Sequence, residues 1–133
     1  MPMVAGLDNA AIKTHPHALP NAASAVVSRQ KVFDYALNPD HPIGKEKARV
    51  FESALGFNAS NGQELINQIF SKVAAFPAVE RMETEYGRSF RADIPVTGPG
   101  GSGIVITGWV IDIGTTVPRL ATLRVAKKVK NVQ

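Results

Sequence analysis

The sequence predicts an α+β domain: N-terminal helices packed on one face of a four-stranded antiparallel meander sheet. Two observations predict it. Apolar residues recur at helical spacing from Val32 to Val73, and beyond Val79 the period falls to two, with Phe90, Ala92, Ile94 and Val96 alternating with polar neighbours. Helices come first and strands after, an order that puts the helices on one sheet face.

Residues 1–25 are rich in Ala, Asn, Pro and His with no clear period and read as a flexible leader or linker before a single domain over 26–133. The start lacks the charged region and continuous apolar core of a signal peptide. Ser28 is a candidate N-cap for a short helix carrying Val32, Phe33, Tyr35, Ala36 and Leu37. "NPDHP" interrupts it, and a second helix is expected from Gly44 to Leu55, with Ala48, Phe51, Ala54 and Leu55 inward and Gly56 as its stop. A third follows "NASNGQ", with Leu65, Ile66, Ile69, Phe70 and Val73 on its buried face, and "FPAV" ends it. "VERMETEYGRSFRADIPVTG" reads as two strands around a turn at Tyr86–Arg88. The Gly-rich "GPGGSG" joins strand to strand, so it is a poor phosphate cradle, which needs a helix N-terminus after it. "GIVITGWVIDI" is apolar on both faces and reads as the central strand, covered by helices on one side. "GTTVP" turns the chain into the last strand, "RLATLRVAKK".

The chain of 133 residues has a net charge of +4 and no cysteine, which excludes disulfides and thiolate metal sites. The charge is polarised. From Pro118 onward lie Arg119, Arg124, Lys127, Lys128 and Lys130 with no acid, whereas acids dominate between Phe51 and Glu85. No apolar run is long enough to span a membrane.

His41 is the one histidine in the folded body, set between Pro39 and Pro42 and followed by Lys45, Lys47 and Arg49. A metal-independent site that cleaves RNA needs a base for the 2′-hydroxyl, an acid for the leaving oxygen and cations for the phosphorane-like charge. Histidine is the side chain suited to proton transfer in the physiological range, and His41 with the three cations matches that requirement. Lys45 and Arg49 share a helix face and Lys47 points elsewhere. Thr107 and Trp109 fall on one face of the central strand, and Arg119 opens the last strand. Simpler roles stand beside these: His41 capping a turn, the cations forming a solvated face, Trp109 packing in the core and Thr107 satisfying its strand. His15 and His17 form a His-x-His pair with no third ligand nearby, and Asp34, Asp40 and Asp112 show no metal-cluster spacing. Without cysteine or a G-x-S-x-G elbow, a serine or cysteine hydrolase is disfavoured.

"KVFDYALNPDHPIGKEKARVFESALGF" carries a pattern, N-P-x-H-P-x-G-x-x-K-A-x-x-F, that resembles a bacterial domain family. That family's ending, T-G-P-x-G, then V-x-T-x-W, then P-x-L-x-T, is matched by "PVTGPGGSGIVITGWVIDIGTTVPRLATLRV". The similarity spans about residues 19–126 and carries Tyr35, Asn38, His41, Gly44, Lys47, Phe51, Thr107, Trp109 and Pro118 across by position. Lys45 stands where the family often has a second glycine, which sets it outside a shared mechanism. Members look like the C-terminal toxin tips of contact-dependent inhibition and other polymorphic toxin proteins, and the element order is similar to the barnase/EndoU/colicin/RelE-like ribonuclease superfold. The resemblance implies an antibacterial toxin domain, a metal- and cofactor-independent ribonuclease with transfer RNA as the expected substrate. It would be delivered from a secreted or cell-surface protein to the target-cell cytoplasm and neutralised by an acidic immunity protein. On that reading His41, Lys47, Thr107 and Arg119 are catalytic, and Tyr35, Lys45, Arg49 and Trp109 bind substrate. A DNase, an NAD-consuming enzyme or a non-enzymatic basic binding module are the alternatives, because toxin tips carry unrelated activities on similar scaffolds.

Overall fold

Three helices precede four strands in the computed structural model, which describes residues 14–126. The expected α+β architecture is what the chain adopts. Strands β1 (Ala78–Thr84), β2 (Gly87–Gly98), β3 (Gly101–Asp112) and β4 (Arg119–Val125) form one sheet in the order β1-β2-β3-β4, each neighbour antiparallel. The first turn is tighter than expected: Thr84 pairs with Gly87, leaving only Glu85 and Tyr86 between strands. β2 and β3 pair without a break from Gly87↔Asp112 to Gly98↔Gly101, so a strict period of two sends Phe90, Ala92, Ile94, Val96, Val105, Thr107, Trp109 and Ile111 to one face. β4 escapes that period. Its register shifts between Trp109↔Leu120 and Gly108↔Thr122, so Ala121 is an extra residue and both Leu120 and Leu123 point inward.

The helices lie on that inward face. Helix α1 (Lys31–Ala36) is a single π-helical stretch, α2 (Lys45–Val50) runs straight into a π-helical turn (Phe51–Leu55), and α3 (Gly62–Lys72) is regular. The second helix ends as its sequence predicts, with Gly56 left-handed at φ 80°. Segments of six and eleven residues are too short to hold helical form alone, which takes about 12–15 residues. Burial supplies the difference: Val32, Phe51, Leu65 and Ile69 are fully buried, and each such side chain contributes about 1.5–3 kcal/mol. Phe70, expected inside, is 45% exposed. It follows Ile69 by about 100° around the helix, which carries it off the stripe defined by Leu65, Ile66 and Ile69.

Residues 15–25, expected to belong to the leader, are instead tied to the body. The His15 amide donates to Ala74 O (2.8 Å), the Ala78 amide donates to His17 O (2.9 Å), and Leu19, Ala22 and Ala25 are buried. Val26 then exchanges backbone hydrogen bonds with β4, donating to Pro118 O and accepting from Leu120 N–H. Residues 1–13 of the expected leader, and the basic Lys127, Lys128 and Lys130, lie outside the described residues. Among the described residues no helix is long and apolar enough to cross a membrane.

Candidate active site at Tyr35, His41 and Lys47

The loop between α1 and α2 folds on its own side chains. Asn38 Oδ1 accepts the Asp40 amide (2.9 Å), and Asn38 O accepts the His41 amide (3.2 Å). His41 Nδ1 accepts two backbone amides, Ile43 at 3.0 Å and Gly44 at 2.9 Å, and His41 O accepts Lys45 N–H at 3.0 Å. Pro39 and Pro42 have no N–H to satisfy. Every backbone donor from Asn38 to Lys45 therefore has an acceptor, and His41 holds the start of α2 as an N-cap residue would. Gly44 completes the motif because a Cβ there would overlap the Tyr35 carbonyl oxygen. The capping role is thus real. It uses one nitrogen only.

The other side of the ring faces a cluster. The His41 and Tyr35 rings meet edge to face at 4.9 Å and 81°, and Lys47 Nζ stands 4.9 Å from the centre of the same Tyr35 ring. Because Nδ1 accepts two N–H groups, the neutral ring carries its proton on Nε2, for which no described residue is an acceptor. His41 therefore offers a hydrogen-bond donor, and not a lone pair, to what lies beside it. His41 also lines a cavity of about 550 Å³ with Ser28, Lys31, Asp34, Tyr35 and Thr122. Asp34 is the carboxylate on its wall.

Lys45 and Arg49 share a face of α2 as expected, but it is a different face from that of Lys47. They line a separate cavity of about 600 Å³ with Glu46 and Glu52, and Arg49 is paired with Glu46. They do not join His41.

Thr107 and Trp109 are corrected more fully. Both are 0% exposed. Trp109 Nε1–H donates to Thr107 Oγ1 (2.7 Å), and Thr107 Oγ1–H donates to Ala92 O (2.7 Å), so their polar atoms are consumed inside the core where no substrate reaches. Arg119 holds Asp112 with two hydrogen bonds of 2.6 and 3.0 Å and does not line the His41 cavity. That contact lowers the Asp112 carboxyl and raises the Arg119 guanidinium relative to their ordinary values.

Thr122, and not Thr107, is the threonine that lines the cavity. Its hydroxyl lies over Gly108, where a Cβ would collide with it. The signal was present as the final threonine of P-x-L-x-T, Pro118 to Thr122, but the bulge at Ala121 that sets Thr122 opposite Gly108 has no mark in the sequence. In the N-terminal segment, the His17 amide donates to His15 Nδ1 (2.9 Å), and no three His, Asp or Glu side chains converge among the described residues.

The chain belongs to the family described as Domain of unknown function (DUF6883), whose model matches residues 18–127. No curated protein matches the chain, and no solved structure does.

Proposed function

We propose that this DUF6883 chain is an antibacterial toxin domain that cleaves RNA, with transfer RNA the first substrate to test, and that an acidic immunity protein neutralises it. The observation that supports this most is the placement of His41 against the Tyr35 ring, beside a cavity with a carboxylate on its wall; Lys47 meets the same ring but lines a separate hollow with Glu46 and Val50. The motif that resembles polymorphic-toxin tips is the same stretch that builds this cluster.

The chemistry follows from which atoms are free. Asp34 is the acceptor available to take the 2′-hydroxyl proton; the 2′-oxygen then attacks the adjacent phosphorus, closing a 2′,3′-cyclic phosphate, and the 5′-oxygen leaves and takes up a proton from water. His41 Nε2–H and the Lys47 ammonium are donors for the charge that builds on the phosphate oxygens. Thr122 orients the scissile group, in the role first expected of Thr107 or Arg119. The toxin would arrive from a secreted or cell-surface protein and act in the target-cell cytoplasm. Incubating the purified chain with total RNA in EDTA tests the reading: discrete fragments are expected, and intact RNA at large protein excess would overturn it.

A further inference from the structure

We infer that the uncovered face of the sheet is a track for single-stranded RNA that leads into the Tyr35–His41 cavity, an inference that rests on the ribonuclease reading. This face carries a groove of about 340 Å³ lined by three guanidinium groups, Arg81, Arg91 and Arg124, and by no carboxylate. Arg91 is shared with Asp93 on its own strand (2.8 and 3.1 Å), whereas Arg81 and Arg124 form no ion pair with the described residues. Of the β1 acids, Glu80 is held by Arg88 (2.9 Å), and neither it nor Glu83 lines the groove.

Two irregularities shape the groove. The β1–β2 register shifts between Glu80 and Met82, so Arg81 is the extra residue and is freed from the pairing. The β3–β4 register shifts at Ala121, and Ala121 with Thr122 lines both this groove and the His41 cavity. The two hollows therefore meet across β4. Between the cations the floor is low and apolar, made of Ile106, Gly108 and Val110. Guanidinium forks match phosphate oxygens in pairs, which suits a backbone laid along the strip. An acidic protein partner would be expected to anchor an aromatic or aliphatic side chain in a central pocket, and this shallow strip is a poorer seat for one.

The test uses the full chain as His41→Asn, to suppress cleavage, and a fluorescein-labelled single-stranded RNA of about ten nucleotides. Fluorescence anisotropy is read over a range of salt. Arg81→Ala/Arg124→Ala should weaken binding about tenfold or more and flatten the salt slope by about 1.4, since each phosphate contact to a single strand contributes about 0.7. Arg81→Lys/Arg124→Lys keeps the charges, so its slope should match the parent. With His41 restored, the Ala pair should still cut a dinucleoside monophosphate at the parental rate, because that probe is too short to reach the groove. Unchanged oligonucleotide affinity and slope in the Ala pair would overturn the inference, whether or not the chain cleaves RNA. So would intact RNA binding with lost affinity for an acidic inhibitor, which would give the groove to a protein. Binding through the groove by a chain that never cleaves RNA would sustain the track and sink the ribonuclease reading.

Discussion

Trp109 and Thr107, two residues apart on β3, are locked together inside the core: the indole N–H donates to the threonine hydroxyl at 2.7 Å, and that hydroxyl donates to Ala92 O. A threonine that looks like a catalytic hydroxyl in the sequence is a buried link in the fold. Thr107→Val keeps the side-chain shape but leaves the Trp109 donor without an acceptor, at a cost of about 1–3 kcal/mol. Urea unfolding should show that loss. RNA cleavage by the folded variant should stay near the parental rate, and its disappearance would return Thr107 to the site.

His41 has two separable jobs, and two substitutions divide them. Asparagine can present an acceptor near the position of Nδ1 and keep the amides of Ile43 and Gly44 paired, so His41→Asn should melt close to the parent. His41→Ala should lose about 1 kcal/mol, as for a lost N-cap. Both should lose cleavage by about a hundredfold or more, because both remove the Nε2 donor. Activity surviving in a stable His41→Asn chain would leave the residue with a structural role alone.

The fit of Thr122 over Gly108 predicts a non-additive pair. Gly108→Ala puts a Cβ into the Thr122 hydroxyl and should destabilise by about 1–3 kcal/mol through overpacking. Adding Thr122→Ala removes the obstructing hydroxyl and should recover much of that loss, which a double-mutant cycle of unfolding free energies would register. Cleavage should not recover, since Thr122 is the group proposed to orient the substrate.

Two exposed ion pairs give a pH dependence of known sign. Hydrogen bonding to Arg119 lowers the Asp112 carboxyl, and hydrogen bonding to Arg88 lowers Glu80. A carboxyl lower in the folded than in the unfolded chain adds stability above its unfolded value, and that contribution is lost as pH falls through the folded value. Arg88→Gln/Arg119→Gln should therefore melt slightly below the parent near neutrality, with the gap closing below about pH 4. A gap independent of pH would show that ionisation of these pairs contributes nothing. The effect is small, because surface pairs are screened by solvent.

The inhibitor prediction concerns rates. An acidic immunity protein covering or adjoining His41 and the Lys45–Arg49 turn, over roughly 1,200–2,000 Å², should associate more slowly as salt rises while its lifetime changes less. Stopped-flow association measured against salt checks this, and a basic inhibitor indifferent to salt would refute it.

Much of the architecture was legible in local pattern. The helix from Gly44 to Leu55, its stop at Gly56 and the antiparallel order of the strands all follow from spacing and turn residues, because both are short-range properties of the chain. So does the separation of Lys47 from Lys45 and Arg49, which helical geometry alone dictates. The N-P-x-H-P-x-G stretch also singled out His41, the residue whose ring holds the backbone at the start of α2. What it could not show is that the ring spends Nδ1 on two backbone amides, since that depends on how the loop closes on itself. The sheet was harder still. Alternation places Thr107 and Trp109 on one face but does not say which face the helices cover, and that choice buried both. Nor does alternation foresee a bulge: one extra residue at Ala121 reverses the facing of all that follows in β4, and so decides that Thr122 lies over Gly108 while Leu123 is buried. Periodicity sorts residues by face, and only packing between distant segments decides which face meets water.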